Sequence, residues 1–333
     1  MIGRLLRSYG TGIGILLLIG FFWVNLPGTF MTAQNWLNIA QQISMLVVVA
    51  ATMTVVMVMG DFDLSVGSMA SLAGVVAAVL FGTGWPVWAG VLAALAVGLA
   101  GGLINGVLVS VVGILPFVAT LATLTMQSGL AFVISGGKTL FGRDIPAGFS
   151  GFARSGVPLW QAGEKWVMLP ALVIVALAVV ALVWLVLEQT PYGRRLYAIG
   201  GNSEAARLAG VRVTWLRLTA FGFTGVGAAA AGLMYAARVA SANPVQGSGL
   251  MLDAIAAVFL GMTMSESGQP RVLATLAGVL VLGVMDNGLT QMQVDSYLRD
   301  IFVGAIIVLA VSISALGRRR AGAGAGRGRG NFG

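Results

Sequence analysis

The run from Ala171 to Leu187 reads ALVIVALAVVALVWLVL, without one charged side chain, and stretches of this kind recur along the chain. Backbone placed in hydrocarbon must satisfy its own N–H and C=O groups, which leaves helices and closed barrels as spanning structures. A barrel needs segments of about 10 residues with strict alternation, and these runs do not alternate. A spanning helix needs roughly 20 apolar residues. The chain therefore reads as an all-α, polytopic bundle of transmembrane helices. Charge agrees: 9% of the residues are charged, against about 25% in a soluble domain, too few to cover a water-facing surface.

Spans are expected near 12–26, 40–60, 64–82, 86–111, 115–136, 167–187, 215–236, 250–264, 272–290 and 299–316, about ten in all at one per hydrophobic run. The first run follows Arg4 and Arg7, as in a signal peptide. However, Pro27-Gly28-Thr29-Phe30 after it reads as a turn with no small-x-small cleavage site, so it is taken as a span. An even number puts both termini on one side. Arg194, Arg195, Arg207, Arg212, Arg217, Arg271, Arg318, Arg319 and Arg320 then join Arg4 and Arg7 there, opposite Lys138, Arg143, Arg154, Lys165, Arg238 and Arg299. The basic excess marks the cytoplasmic face. A net charge of +8 is thus an orientation and lipid signal, and no nucleic-acid partner is expected. The membrane domain is expected over 1–320, with a cytoplasmic loop at 188–214. The residues 321–333, AGAGAGRGRGNFG, read as a disordered basic tail beside anionic membrane lipid.

Cysteine and histidine are both absent, which excludes disulfides, thiol nucleophiles, His-ligated metals and a Ser-His-Asp triad. No catalytic residue, metal or cofactor is expected. Gly137-Lys138-Thr139 ends like a phosphate-binding loop, but Phe132 occupies the position that needs its first glycine. A nucleotide-driven process would need another protein.

The loop 188–214 is the polar exception. Asn202 or Ser203 can cap a short helix, Glu204 suits its positive end, and Gly210 is placed to stop it. Ala205, Ala206, Leu208 and Ala209 give it a small apolar surface with little bulk. At about two turns such a helix is too short to stand alone, so it needs a surface to press on, lipid or protein. Asp61 and Asp63 lie between two apolar runs, where unpartnered carboxylates cost a few kcal/mol or more. They read as caps at a break between spans, as lining of a substrate path, or as proton-coupling or metal groups. Asn105, Gln127, Asn287 and Asp253 fall inside expected spans, where polar side chains either bond neighbouring helices or line a passage. Gly101-x-x-x-Asn105-Gly106 recurs as Gly283-x-x-x-Asn287-Gly288, a faint echo of the repeated halves of transporters.

Several of these segments resemble one family. Glu204-Ala205-Ala206-x-x-x-Gly210 has the form of the docking motif of ATP-binding-cassette importer permeases. Gly60-Asp61-Phe62-Asp63-Leu64-Ser65-Val66-Gly67-Ser68 is similar to the signature of the ribose, xylose, galactose and arabinose permeases, and is most like the arabinose type. Thr190 to Arg194, Ala198 to Asn202, Leu252 to Val258 and Gly283 to Gly288 match the same family in order. The resemblance implies a type II importer permease subunit in a bacterial inner membrane. Two permease chains, as a homodimer, would form the path for a monosaccharide. Cytoplasmic ATPases would dock at Arg194, Asn202, Glu204, Ala205, Ala206 and Gly210, and an extracytoplasmic (periplasmic) binding protein would deliver sugar. Asp61, Asp63, Asn105, Gln127 and Asn287 are the candidates for the path. The competing expectation is a proton-coupled secondary transporter using Asp61 or Asp63. Residues 261–270 depart from the family pattern, losing glycines and gaining Glu266.

Overall fold

A computed structural model of the chain describes residues 2–162, 165–264, 268–295, 297–298, 300–305 and 308. Its helices are α1 (Ile2–Asn25), α2 (Ala33–Met57), α3 (Val66–Gly82), α4 (Val87–Val107), α5 (Pro116–Ser135), α6 (Ala147–Arg154), α7 (Ala171–Trp184), α8 (Pro191–Gly201), α9 (Ser203–Leu208), α10 (Val213–Val239), α11 (Leu250–Met264) and α12 (Val272–Gln291). α4 and α7 each run on as a π turn, Leu108–Val112 and Leu185–Gln189. Two small antiparallel ribbons complete the fold: β1 (Leu140–Phe141) pairs with β4 (Ser241–Ala242), and β2 (Gly156–Ala162) with β3 (Lys165–Pro170).

Six helices are long and apolar enough to cross a membrane: Ala33–Met57, Val87–Val112, Pro116–Ser135, Ala171–Gln189, Val213–Val239 and Val272–Gln291. Three more expected spans coincide with shorter apolar helices, Gly14–Asn25, Val66–Gly82 and Leu250–Met264. The expected span at 299–316 and the tail at 321–333 lie mostly or wholly outside the described residues. The protein is a polytopic helical bundle with interrupted crossings.

The interruptions have local causes. α2 begins where the Thr32 hydroxyl accepts the Asn35 N–H, a cap that lengthens it beyond its apolar run. It ends at Met57, and in the turn that follows Gly60, with φ +82°, takes the backbone into a region that suits glycine. Residues 61–65 then pass through buried space before α3 starts. Likewise the chain leaves α10, pairs as β4, and dips beside α3 before α11 starts. There Gly67 and Gly247 meet backbone to backbone, and the Gly247 N–H donates to Ser71 Oγ at 2.8 Å.

α10 is the central post, packed on α2, α3 and α4. Its contact with α4 is made largely of glycine: Gly98 and Gly102 face Phe221, Gly222 and Gly225 so closely that a Cβ on Gly98, Gly102 or Gly225 would strike a carbonyl oxygen. Close backbone approach is how helices gain packing energy in lipid, where hydrophobic burial offers none. α2 and α10 run antiparallel, each followed by a break and a short helix, then by a helix carrying one copy of the Gly-x-x-x-Asn-Gly echo. α4 packs on α10, and α12 packs on α2, where Gly283 abuts Ile43. Each half is thus completed by the long helix of the other.

All eight tryptophans lie in connections or near helix ends. Trp23, Trp36, Trp85, Trp88, Trp160 and Trp166 mark one end of the bundle, and Trp184 and Trp215 mark the end that carries α8 and α9. Tryptophan gathers at membrane–water interfaces, so the two groups mark where a bilayer would begin and end.

Candidate functional site

The loop 188–214 folds as two helices, α8 and α9, rather than the single short helix read from the sequence. α8 starts where the Thr190 hydroxyl accepts the Gly193 N–H and Pro191 fills the first helical position. Leu196 and Ile199 are buried beneath it. Gly193 and Gly200 lie against the Leu187 and Val58 carbonyls, and the Tyr192 and Thr219 hydroxyls bond at 3.0 Å. α8 therefore sits on the ends of α2, α7 and α10.

α9 is shorter than the expected two turns but closed at both ends. Asn202 Oδ1 accepts from the Glu204 and Ala205 N–H groups at 3.1 and 3.0 Å. At the other end Gly210 has φ +83°. Its N–H donates to the Arg207 carbonyl and the Val211 N–H to the Ala206 carbonyl, both at 3.0 Å, which is the Schellman pattern. Only Ala206 is buried; Ser203, Glu204, Ala205, Arg207 and Leu208 face outward, with Leu208 79% exposed. Glu204 and Arg207 pair at 2.7 Å on the surface, an arrangement worth at most about 1 kcal/mol. Arg194 is exposed on α8. Beside α9 a cavity of about 460 Å³ opens between Arg207, Arg212, Trp215 and Leu218. Substituting Asn202→Ala or Gly210→Ala should each cost about 1 kcal/mol of local helix stability. Hydrogen exchange at the Glu204–Arg207 amides would show it as roughly fivefold faster exchange at that cost, with the transmembrane helices unchanged.

The candidate path residues separate into two groups. At the end that carries α8 and α9, Asp63 Oδ1 accepts from the Ser65 N–H at 2.9 Å and the Ser65 hydroxyl at 2.6 Å, a turn that leads into α3. Asn105 Nδ2 reaches Ser65 Oγ at 2.8 Å and Asp63 at 3.4 Å, while its Oδ1 accepts from Thr123 at 2.6 Å. Gln127 accepts from Ser68 at 3.0 Å. This network ties the break before α3 to α4 and α5, and Asp63, Asn105, Thr123 and Gln127 are all buried. Asp61 points to α10: Arg217 Nη2 donates to its Oδ1 at 3.3 Å, and Arg217 Nε lies 2.9 Å from Oδ2 as an ion contact with poor hydrogen-bond alignment. Asn287 stands apart at the opposite end, where its Oδ1 accepts from Asn35 at 3.1 Å and Gln291 at 2.7 Å. Asp253 lies in the first turn of α11.

Glu188 and Tyr197 also belong to the α8–α9 end and were not singled out from the sequence. Glu188 Oε1 accepts the Val272 N–H at 3.1 Å, and the Tyr197 hydroxyl donates to the Pro270 carbonyl at 2.9 Å. Their only sequence signal is position, inside the one polar loop of an apolar chain. Among the described residues no cluster of three or more His, Cys, Asp or Glu side chains could hold a metal ion.

A bundle of interrupted apolar helices with a capped polar helix at one end is consistent with a polytopic membrane permease. The chain belongs to the family described as branched-chain amino acid transport system / permease component, whose model matches residues 35–311. It is a transport subunit. The ribose import permease protein of Escherichia coli strain K12 is 38% identical over 302 residues, covering 90% of this chain and 91% of that one. The ribose import permease protein of Bacillus subtilis strain 168 is 34% identical over 309 residues, 92% of each. The L-arabinose transport system permease protein of Escherichia coli strain K12 is 33% identical over 309 residues, 93% of this chain and 90% of its own. No solved structure matches.

Proposed function

We propose that this chain is the membrane-spanning subunit of an ATP-driven monosaccharide importer, and that α9 is its foot on a separate cytoplasmic ATPase. The observation that carries the reading is α9 itself. It is capped at both ends, has Ala206 as its one buried side chain, and presents Glu204 and the exposed Leu208 outward. An apolar side chain exposed at that level on a polar surface is what a partner would cover. The groove between Arg207, Arg212 and Trp215 extends the same surface. The substrate class follows from the relatives, which are named for ribose and arabinose import.

In this reading the foot faces the cytoplasm, as do both termini, and the membrane is a bacterial inner membrane. Arg194, Arg195, Arg207, Arg212, Arg217 and Arg271 all gather at the α8–α9 end, which suits that orientation. A second copy of the chain completes the path, and an extracytoplasmic binding protein delivers sugar at the far end. The membrane domain runs to about residue 320, with a basic tail against lipid. Asp61 and Asp63 serve as structural ties, since each already has an ionic or hydrogen-bonded partner, and this favours the importer over a proton-coupled carrier.

Reconstitution in liposomes tests the proposal. Sugar uptake should appear only with ATPase, binding protein and ATP present; uptake by the chain alone under a pH gradient would sink it. Leu208→Asp should weaken ATPase association by about ten- to a hundredfold, the worth of one buried leucine, without affecting membrane insertion.

A further inference from the structure

α12 begins without a cap of its own. Arg271 stands at the capping position and its side chain makes no capping bond. The first N–H groups of a helix have no partner within it. Here the partner comes from a distant part of the chain, as the Glu188 carboxylate takes the Val272 N–H and sets negative charge at the positive end of the helix. Two residues upstream, Tyr197 holds the Pro270 carbonyl. Glu188 ends the α7 rod in its π turn and Tyr197 lies on α8, so both bonds leave the docking segment. Both land on the three residues that lead into α12. Pro270 and Val272 are buried there, and the proline ring stiffens the link.

We infer that Glu188 and Tyr197 form a clasp that locks the end of α7 and α8 to the start of α12, so that a displacement of the docking segment moves α12 with it. The inference rests on the ATP-driven reading above. Both are positioning residues. α12 is well placed to pass such a displacement on. Gly261 of α11 and Gly278 of α12 lie against the Ala274 and Ala257 carbonyls of the opposite helix, and Thr275 bonds Thr54 of α2 at 3.0 Å. Moving α12 therefore loads both the short helix α11 and the long helix α2. The clasp also closes on the 261–270 segment, where the chain departs from the sugar-permease pattern. Burial, with the Glu188 carboxylate nearby and Arg271 opposing, pushes the Tyr197 phenol up to about 12. It stays a proton donor at any pH the cytoplasm meets.

The test uses the full chain with its ATPase and binding protein in lipid nanodiscs for hydrolysis and in liposomes for uptake. The variants are Tyr197→Phe, Glu188→Ala, Glu188→Gln and the double Tyr197→Phe/Glu188→Ala. The double variant should keep its affinity for the ATPase while sugar moved per ATP falls about thirtyfold, the scale of two ordinary hydrogen bonds. Glu188→Gln keeps an acceptor for the Val272 N–H and should stay near wild type. Because the chain has no cysteine, nitroxides at Arg195→Cys and Leu273→Cys report the clasp directly. Their separation should stay fixed between ATP-bound and nucleotide-free states, and vary once both bonds are removed. A coupling ratio unchanged in the double variant would overturn the inference, as would a label distance that changes in the unmutated clasp. Loss of ATPase binding in Tyr197→Phe would overturn it too, by making Tyr197 a docking residue. If the wild-type complex moves sugar without ATP, the importer reading fails, whatever the clasp variants do.

Discussion

Gly225→Leu should leave almost no correctly folded protein in the membrane, whereas Gly129→Leu should be tolerated. The difference is geometric. A Cβ at Gly225 would overlap the Gly98 carbonyl oxygen and press on Gly102, while at Gly129 nothing lies within 4 Å. The obstructing atoms on Gly98 and Gly102 all belong to the backbone, so α4 and α10 would have to separate along their length. Overpacking a core costs about 1–3 kcal/mol even where side chains can adjust, and here the neighbours are backbone. The contact also lacks a compensating hydrophobic gain, because lipid solvates leucine as well as protein does. Size-exclusion profiles of detergent extracts, with thermal midpoints for any folded fraction, measure the effect. A Gly225→Leu protein with the wild-type profile and midpoint would show that α4 and α10 do not meet as described.

Asp61→Leu should destabilise the protein by about 3 kcal/mol, the low end for breaking a buried ion pair, because Arg217 keeps some access to water. The side chains of Asp61 and Arg217 are 6% and 26% exposed, so the arginine left behind cannot simply turn to solvent. The same physics makes the double variant Asp61→Leu/Arg217→Leu far milder than either single one, since an apolar pair of similar bulk carries no desolvation cost. Thermal midpoints of the singles and the double form a cycle whose coupling should be large and favourable. If the losses simply added, the two residues would be acting independently, and the pair would not be what joins the α2–α3 break to α10.

The helices were legible because a bilayer allows few alternatives: apolar runs gave the rough position of the long ones. Their edges were less so. Thr32, Thr190 and Asn202 set helix starts through one or two side-chain hydrogen bonds each, and hydropathy does not register those. α8 was missed because its surface is polar and its glycines look like a loop, although Tyr192, Leu196 and Ile199 follow helical spacing and lie against the bundle. The α9 cap and stop could be read directly, because Asn202 and Gly210 act on backbone within a few residues. Partnerships across the bundle could not. Asp61 with Arg217 and Glu188 with Val272 depend on which helix ends are neighbours. Asn105 and Asn287 looked alike in sequence but lie at opposite ends, each bonded to different residues. The ribbon between Leu140–Phe141 and Ser241–Ala242 joins segments too short to announce themselves.

The crossing of the two halves constrains how the protein is made. Asp61 meets Arg217 only after a further 156 positions have been synthesised, and the glycine face of α4 has no mate until α10 emerges. A ribosome adding roughly 5–20 residues per second takes on the order of ten seconds to cover that distance. Throughout this interval the early helices sit in the bilayer with a carboxylate lacking its counter-ion and a bare backbone groove. Assembly of this permease is therefore a delayed event, and its nascent first half depends on lipid headgroups, water or the insertion machinery to shelter Asp61 until its arginine arrives.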